Sequence, residues 1–206
     1  SIISRIGVLF MKKLILLLLL LAFIFPCQRA QAELKTFVRE YTYEAGEADS
    51  KITSRAIALE QVKRLLLEEL GTYLESNTEV KNFQLTLDQI TVLSAGVVQT
   101  EIVDEKWDGK TYVLKAKITA DSDKVVTDLD KLRKDRDKTK ELQDLKNKAD
   151  DVLRENERLK NELAEAKGVK AKLEINKRYI ANNNKLIARA WFEKGWQYDC
   201  NGDYKR

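Results

Sequence analysis

Beyond a leucine-rich start, the hydrophobic positions switch between two periods, and each switch marks an element. Phe37, Arg39, Tyr41 and Tyr43 alternate with Val38, Glu40 and Thr42, the two-residue period of a strand. Ala45-Gly46 breaks it. Ile52, Ala56, Leu59, Leu66 and Leu70 then recur at multiples of three and four and mark one face of a helix. Asp49 or Ser50 is placed to cap its start and Gly71 its end. Thr72 to Val80 reads as a second strand. Thr86 with Gln89 three residues on is a capping-box pair, and the helix it opens carries Leu87, Ile90 and Leu93 before Gly96. Val97 to Trp107 and Lys110 to Ala120 flank Asp108-Gly109, the strongest hairpin signal in the chain. A strict two-residue turn there sets Val103 opposite Leu114 and Glu105 opposite Tyr112, and a bulge would shift that register.

The predicted order is β-α-β-α-β-β over about ninety residues, enough for one independent core. Helices packed on a mainly antiparallel sheet bury such a set of faces, so residues 33–121 are expected to form a small α+β domain.

The pattern changes at residue 122. Residues 122–167 contain no proline or glycine and are densely charged. Leu142, Leu145, Ala149, Val152, Asn156, Leu159, Leu163 and Ala166 follow a 3-4 spacing. That is a little over three heptads, enough to predict a coiled coil with Asn156 at an a position, where a buried asparagine fixes register and oligomeric state. A charged helical spacer that does not self-associate is the alternative. Some 45 helical residues would make a rod of roughly 65–70 Å in either case. Residues 168–187 follow as a helical linker, with Asn182-Asn183-Asn184 reading as a turn.

The N-terminal region carries an address. Met11-Lys12-Lys13 precedes a twelve-residue apolar run from Leu14 to Phe25 and then Ala30-Gln31-Ala32. A basic start, a short apolar core and a small-x-small site describe a secretory signal peptide over 11–32, cleaved after Ala32 to leave Glu33. The run is shorter than the roughly 20 residues of a membrane-spanning helix, so no stable span is expected after cleavage. Residues 1–10, ahead of the only methionine, read as upstream translation of a misplaced start. Cys27 raises lipidation as an alternative fate, although Ile24-Phe25-Pro26 is bulkier than a lipidation signal. With Cys27 removed, Cys200 is the one remaining cysteine and no intrachain disulfide can form.

Removing the leader also changes the charge. The chain has 37 basic and 33 acidic residues, and the first 32 residues hold Arg5, Lys12, Lys13 and Arg29 but no acid, which leaves 33 of each sign. A basic excess of the kind that recruits nucleic acid is therefore missing from the mature chain. There is no histidine, which removes histidine metal ligands, histidine general bases and Ser-His or Cys-His nucleophile pairs. No glycine-rich phosphate loop appears. No catalytic residue, cofactor or metal site is expected.

The final nineteen residues read A-R-A-W-F-E-K-G-W-Q-Y-D-C-N-G-D-Y-K-R. Trp191, Gly195, Tyr198, Gly202, Asp203 and Tyr204 fall where a tetratricopeptide repeat has its tryptophan, small glycine, first tyrosine, glycine-aspartate turn and second tyrosine. Residues 188–206 thus resemble the first half of such a repeat, with Lys194 where the family has leucine. A half repeat cannot bury its apolar face, so further repeats are expected beyond it. Arg55 to Ser76, together with Leu93-Ser94-Ala95-Gly96-Val97-Val98 and the hairpin after it, is similar to the N-terminal domain of the flagellar assembly protein T family and related bacterial envelope proteins. That resemblance covers most of residues 37–120 and implies an exported domain that works by protein–protein contact.

The expectation is an exported, periplasmic, non-catalytic scaffold of the bacterial envelope. It would bind partner proteins through its repeats and self-associate through a coiled coil. A membrane-tethered structural spacer is the alternative.

Overall fold

A computed structural model describes residues 34–200, with side chains described as far as Arg189. It is an α+β fold, mostly helical, around one three-stranded antiparallel sheet. The central strand β3 (Thr111–Asp121) alternates strictly, turning Tyr112, Leu114, Ala116, Ile118 and Ala120 into the core. Strand β1 (Leu34–Glu44) pairs with it along its whole length, setting Phe37 against Ile118 and Tyr43 against Tyr112. Strand β2 (Thr100–Trp107) takes the other side of β3 and is an edge.

The hairpin turn sits one residue later than the Asp-Gly signal suggests. Trp107 faces Tyr112, so the central turn residues are Gly109 and Lys110, and Gly109 has φ 99°. A positive φ at the first central position is what a type II′ turn requires. Asp108 still organises the turn, because its carboxylate accepts from the amides of Lys110 and Thr111. Those bonds hold its pKa below the usual value. Glu105 consequently faces Leu114 instead of Tyr112, and the bulge leaves Val103 without a partner between Ile102 and Asp104.

Helix α1 (Lys51–Glu75) packs its inner face on the sheet. Ser50 caps it in a capping box with Thr53. Its buried seam is Ser54, Ala58, Val62, Leu66, Leu70 and Leu74, an i+4 series joined by Ile57. The expected face holds at Leu66 and Leu70 but is misplaced by part of a turn at its start: Ile52 is 66% exposed, and Ala56 and Leu59 are only partly buried. Small residues, Ser54 and Ala58, allow the close packing that the larger ones were expected to provide.

The predicted strand at Thr72–Val80 does not form. Leu74 continues the buried seam of α1 past Gly71, so the helix runs to Glu75 and Ser76 is its C-cap. Asn77 then caps a short helix α2 (Thr78–Asn82) that buries Val80. Helix α3 (Leu87–Ala95) opens with the Thr86–Gln89 capping box and ends at Gly96.

The segment from 122 onward folds back. Helix α4 (Ser122–Lys134) buries Val125, Val126 and Leu129. Asp135 then interrupts the helix, with ψ at 95°, and its carboxylate caps helix α5 (Arg136–Glu165) through the Lys138 amide. The continuous rod over 122–167 is thus divided, and α5 alone is about 45 Å long. Gly168, with φ 97°, separates α5 from helix α6 (Val169–Cys200). The two pair in opposite directions, since Arg178 reaches Glu162 while Asn182 reaches Val152. The core does not stop at residue 121: Leu129, Leu142, Val152 and Leu186 belong to the same cluster as Phe37, Leu66 and Ile118. No helix among the described residues is long and apolar enough to cross a membrane.

Candidate functional site

Two features join the helical pair to the sheet and α1. The first is a polar clasp built on Asp49, whose side chain is completely buried. The loop between β1 and α1 places this carboxylate over the end of β1. Its Oδ2 accepts from the Tyr43 hydroxyl at 2.8 Å and from the Gly46 amide at 2.7 Å. Its Oδ1 accepts from the Tyr179 hydroxyl of α6 at 2.7 Å, with Thr53 Oγ1 at 3.2 Å. Lys160 of α5 donates to the Tyr43 hydroxyl at 3.1 Å and brings its Nζ within 3.9 Å of Oδ2. A carboxylate taken from water needs this many donors to be tolerated. Burial, reinforced by the hydrogen bond between them, raises the pKa of Tyr43; burial also raises that of Tyr179.

The clasp continues along the helical pair through three amides. Asn156 donates to Asn183 at 2.8 Å and accepts from Asn182 at 2.9 Å. Asn182 also donates to the Val152 carbonyl, and Asn183 to the Tyr179 carbonyl. All three asparagines are buried. They interlock α5 and α6 and fix the register between them, because a slip by one turn would strand several amides without partners.

The second feature is a cleft of about 380 Å³ between α1, α3 and α5. Leu67, Val92, Val98, Leu142, Leu145 and Ala149 supply apolar wall. A chain of ion pairs links the three helices along it. Asp88 of α3 meets Lys146 of α5 at 3.0 Å, Lys146 meets Asp150 at 3.5 Å, and Asp150 meets Arg64 of α1 at 3.7 Å. The hydrogen bond to Asp88 leads the contributions that raise the Lys146 pKa. Helices α1 and α3 cross closely beside the cleft: a Cβ on Gly71 would lie 2.6 Å from Thr91 Oγ1. At another point Arg189 of α6 approaches Glu60 of α1 at 3.5 Å.

The residues singled out from sequence fall into three groups. Asn156, Leu142, Leu159 and Leu163 of the heptad stripe are buried, and Leu145 is half-buried. Their cover comes from this chain: Asn156 bonds to α6, and Leu142 joins the core and lines the cleft. Trp191, Gly195 and Tyr198 lie in the last turns of α6, beyond the described side chains. Ala30, Ala32, Glu33, Gly202, Asp203 and Tyr204 lie outside the described residues. The Asn182-Asn183-Asn184 patch is mid-helix instead of a turn, because two of its amides are used inside the helical pair. Sequence reasoning missed Asp49, Tyr43, Tyr179 and Lys160. The signal available was faint: a tyrosine on the inner face of a strand needs a polar partner, and Asp49 lay nearby. No group of three or more His, Cys, Asp or Glu residues is placed to hold a metal ion among the described residues.

Comparison of the chain with protein-family models, curated proteins and solved structures returns no match.

Proposed function

We propose that this protein is an exported, non-catalytic scaffold of the bacterial cell envelope that binds partner proteins through tetratricopeptide-type repeats beginning at residue 188. The observation that carries this reading is α6. Its first part is fastened to the body by Tyr179, Asn182, Asn183 and Leu186, all buried. Its last part contains the repeat-like string from Ala188. A repeat array needs an anchored first helix on which the next can stack, and a helix held by a buried polar network is such a base. The signal-like leader over 11–32 supports export, and the likeness of residues 37–120 to an envelope-protein domain supports protein contact. The reading does not require self-association, since α6 and the body cover the heptad stripe within one chain.

The test compares the full chain with one ending at Arg189, which keeps all of the described packing. The two should melt at similar temperatures, while a protein retained by the full chain from a periplasmic extract should be lost with the shorter one. Equal retention by both would remove the repeat-like segment from the binding function. A free Glu33 at the native N-terminus, read by mass spectrometry, is the expected mark of export. An acylated Cys27 would replace it with a membrane tether.

A further inference from the structure

We propose that the cleft between α1, α3 and α5 is a binding site for an uncharged, largely apolar small molecule. This site goes beyond the scaffold reading; among the described residues of the repeat-like segment, Arg189 borders it. Its volume of about 380 Å³ falls at the small-ligand end of the roughly 300–1,000 Å³ typical of such sites. It is bounded: α1 and α3 close together at Gly71 and Thr91, and Asp88–Lys146 ties α3 to α5. A partner helix needs a long open groove, which this frame does not offer.

Charge selects the ligand class. The described lining holds four basic residues against five acidic ones, so no strong excess of either sign marks it. Arg64, Asp88, Lys146 and Asp150 are already paired with one another. A ligand carboxylate or ammonium would compete with an existing partner of its own sign and gain little. An apolar body would gain the full benefit of the walls, at roughly 25 cal/mol for each Å² removed from water. Ala95 and Ala149 keep the walls low where bulkier side chains would fill the space.

The test titrates the full chain with N-phenyl-1-naphthylamine, a neutral fluorescent probe, and then adds 1-decanol or decanoate. The expected result is saturable binding of one probe per chain, with decanol displacing it at least ten-fold more effectively than decanoate. Ala95 is exposed at the cleft wall, so Ala95→Trp should fill the space with little effect on the core. It should weaken probe binding at least ten-fold with an unchanged melting temperature. Leu145→Gln, at a half-buried wall position, should weaken it about three-fold and serves if the tryptophan variant does not fold. A signal that never saturates, an affinity unchanged in a folded variant, or equal displacement by decanoate overturns the proposal.

Discussion

Tyr179 and Asp49 stand 130 residues apart in the chain, yet the tyrosine hydroxyl donates to the carboxylate at 2.7 Å in a site closed to solvent. This bond ties the start of α1 to the middle of α6, and Tyr43 and Lys160 complete the knot. Removing the carboxylate takes an acceptor from the Tyr43, Tyr179 and Thr53 hydroxyls and from the Gly46 amide. Asp49→Ala should therefore cost on the order of 3 kcal/mol, since each stranded buried donor costs about 1–3 kcal/mol. Asp49→Asn should lose less, because its carbonyl still accepts. Urea denaturation measures both. A loss of only about 0.5 kcal/mol, the size seen at exposed sites, would show that the network adds nothing to stability.

Alkaline pH should attack the same knot. Tyr43 and Tyr179 have folded pKa values above the ordinary 10.0. Below about pH 10 both states are protonated and the stabilisation is complete. Above it the unfolded chain gives up its tyrosine protons while the folded chain keeps them, so stability falls as pH rises. The slope approaches about 1.4 kcal/mol per pH unit for each tyrosine. Tyr179→Phe should roughly halve the contribution of the pair, at the cost at neutral pH of the hydroxyl's hydrogen bonds to Asp49 and Tyr43. Melting temperatures followed with tyrosinate absorbance provide the measurement. A parent and variant with parallel alkaline profiles would contradict it.

Local signals were legible where local chemistry decides the outcome. The Thr86–Gln89 capping box, the β1 alternation and the presence of a hairpin near Asp108 rest on residues within a few positions of one another, and each formed. Thr72–Val80 misread because Leu74 answers to the core and not to its own neighbours. The heptad stripe was legible as a buried face, but sequence spacing cannot name what covers it. The covering residues on α6, Asn182 and Asn183, looked like a turn because polar runs usually face solvent. The clasp was the least legible feature, since Asp49, Lys160 and Tyr179 become neighbours only after Asp135 and Gly168 redirect the helices.

The asparagine cluster separates the intrachain stripe from an intermolecular coiled coil. At an a position of a coiled coil, replacing asparagine by leucine commonly stabilises the assembly and changes its oligomeric state. In this packing Asn156→Leu leaves Asn183 without its donor and Asn182 without one acceptor. The variant should lose about 1–3 kcal/mol, the cost of stranding buried polar groups. Light scattering should give the same mass for parent and variant. A more stable variant with a changed mass would return the stripe to self-association.

Gly71 offers a prediction whose sign reverses with its neighbour. A methyl group there would meet Thr91 Oγ1 at 2.6 Å, too close without movement of α3. Thr91 cannot give way freely, because the same oxygen donates to the Leu87 carbonyl at 2.9 Å. Gly71→Ala gains up to about 1 kcal/mol of helix propensity, but overpacking costs about 1–3 kcal/mol, so the single variant should be destabilised. With Thr91→Ala in place the obstructing oxygen is gone, and the next neighbours lie at 3.4 Å and 3.6 Å, ordinary contact. In that background Gly71→Ala should stabilise by a few tenths to about 1 kcal/mol. A double-mutant cycle in urea gives both numbers, with a coupling energy of at least about 1 kcal/mol expected for residues in direct contact. Strict additivity would mean that α1 and α3 do not cross at these two residues.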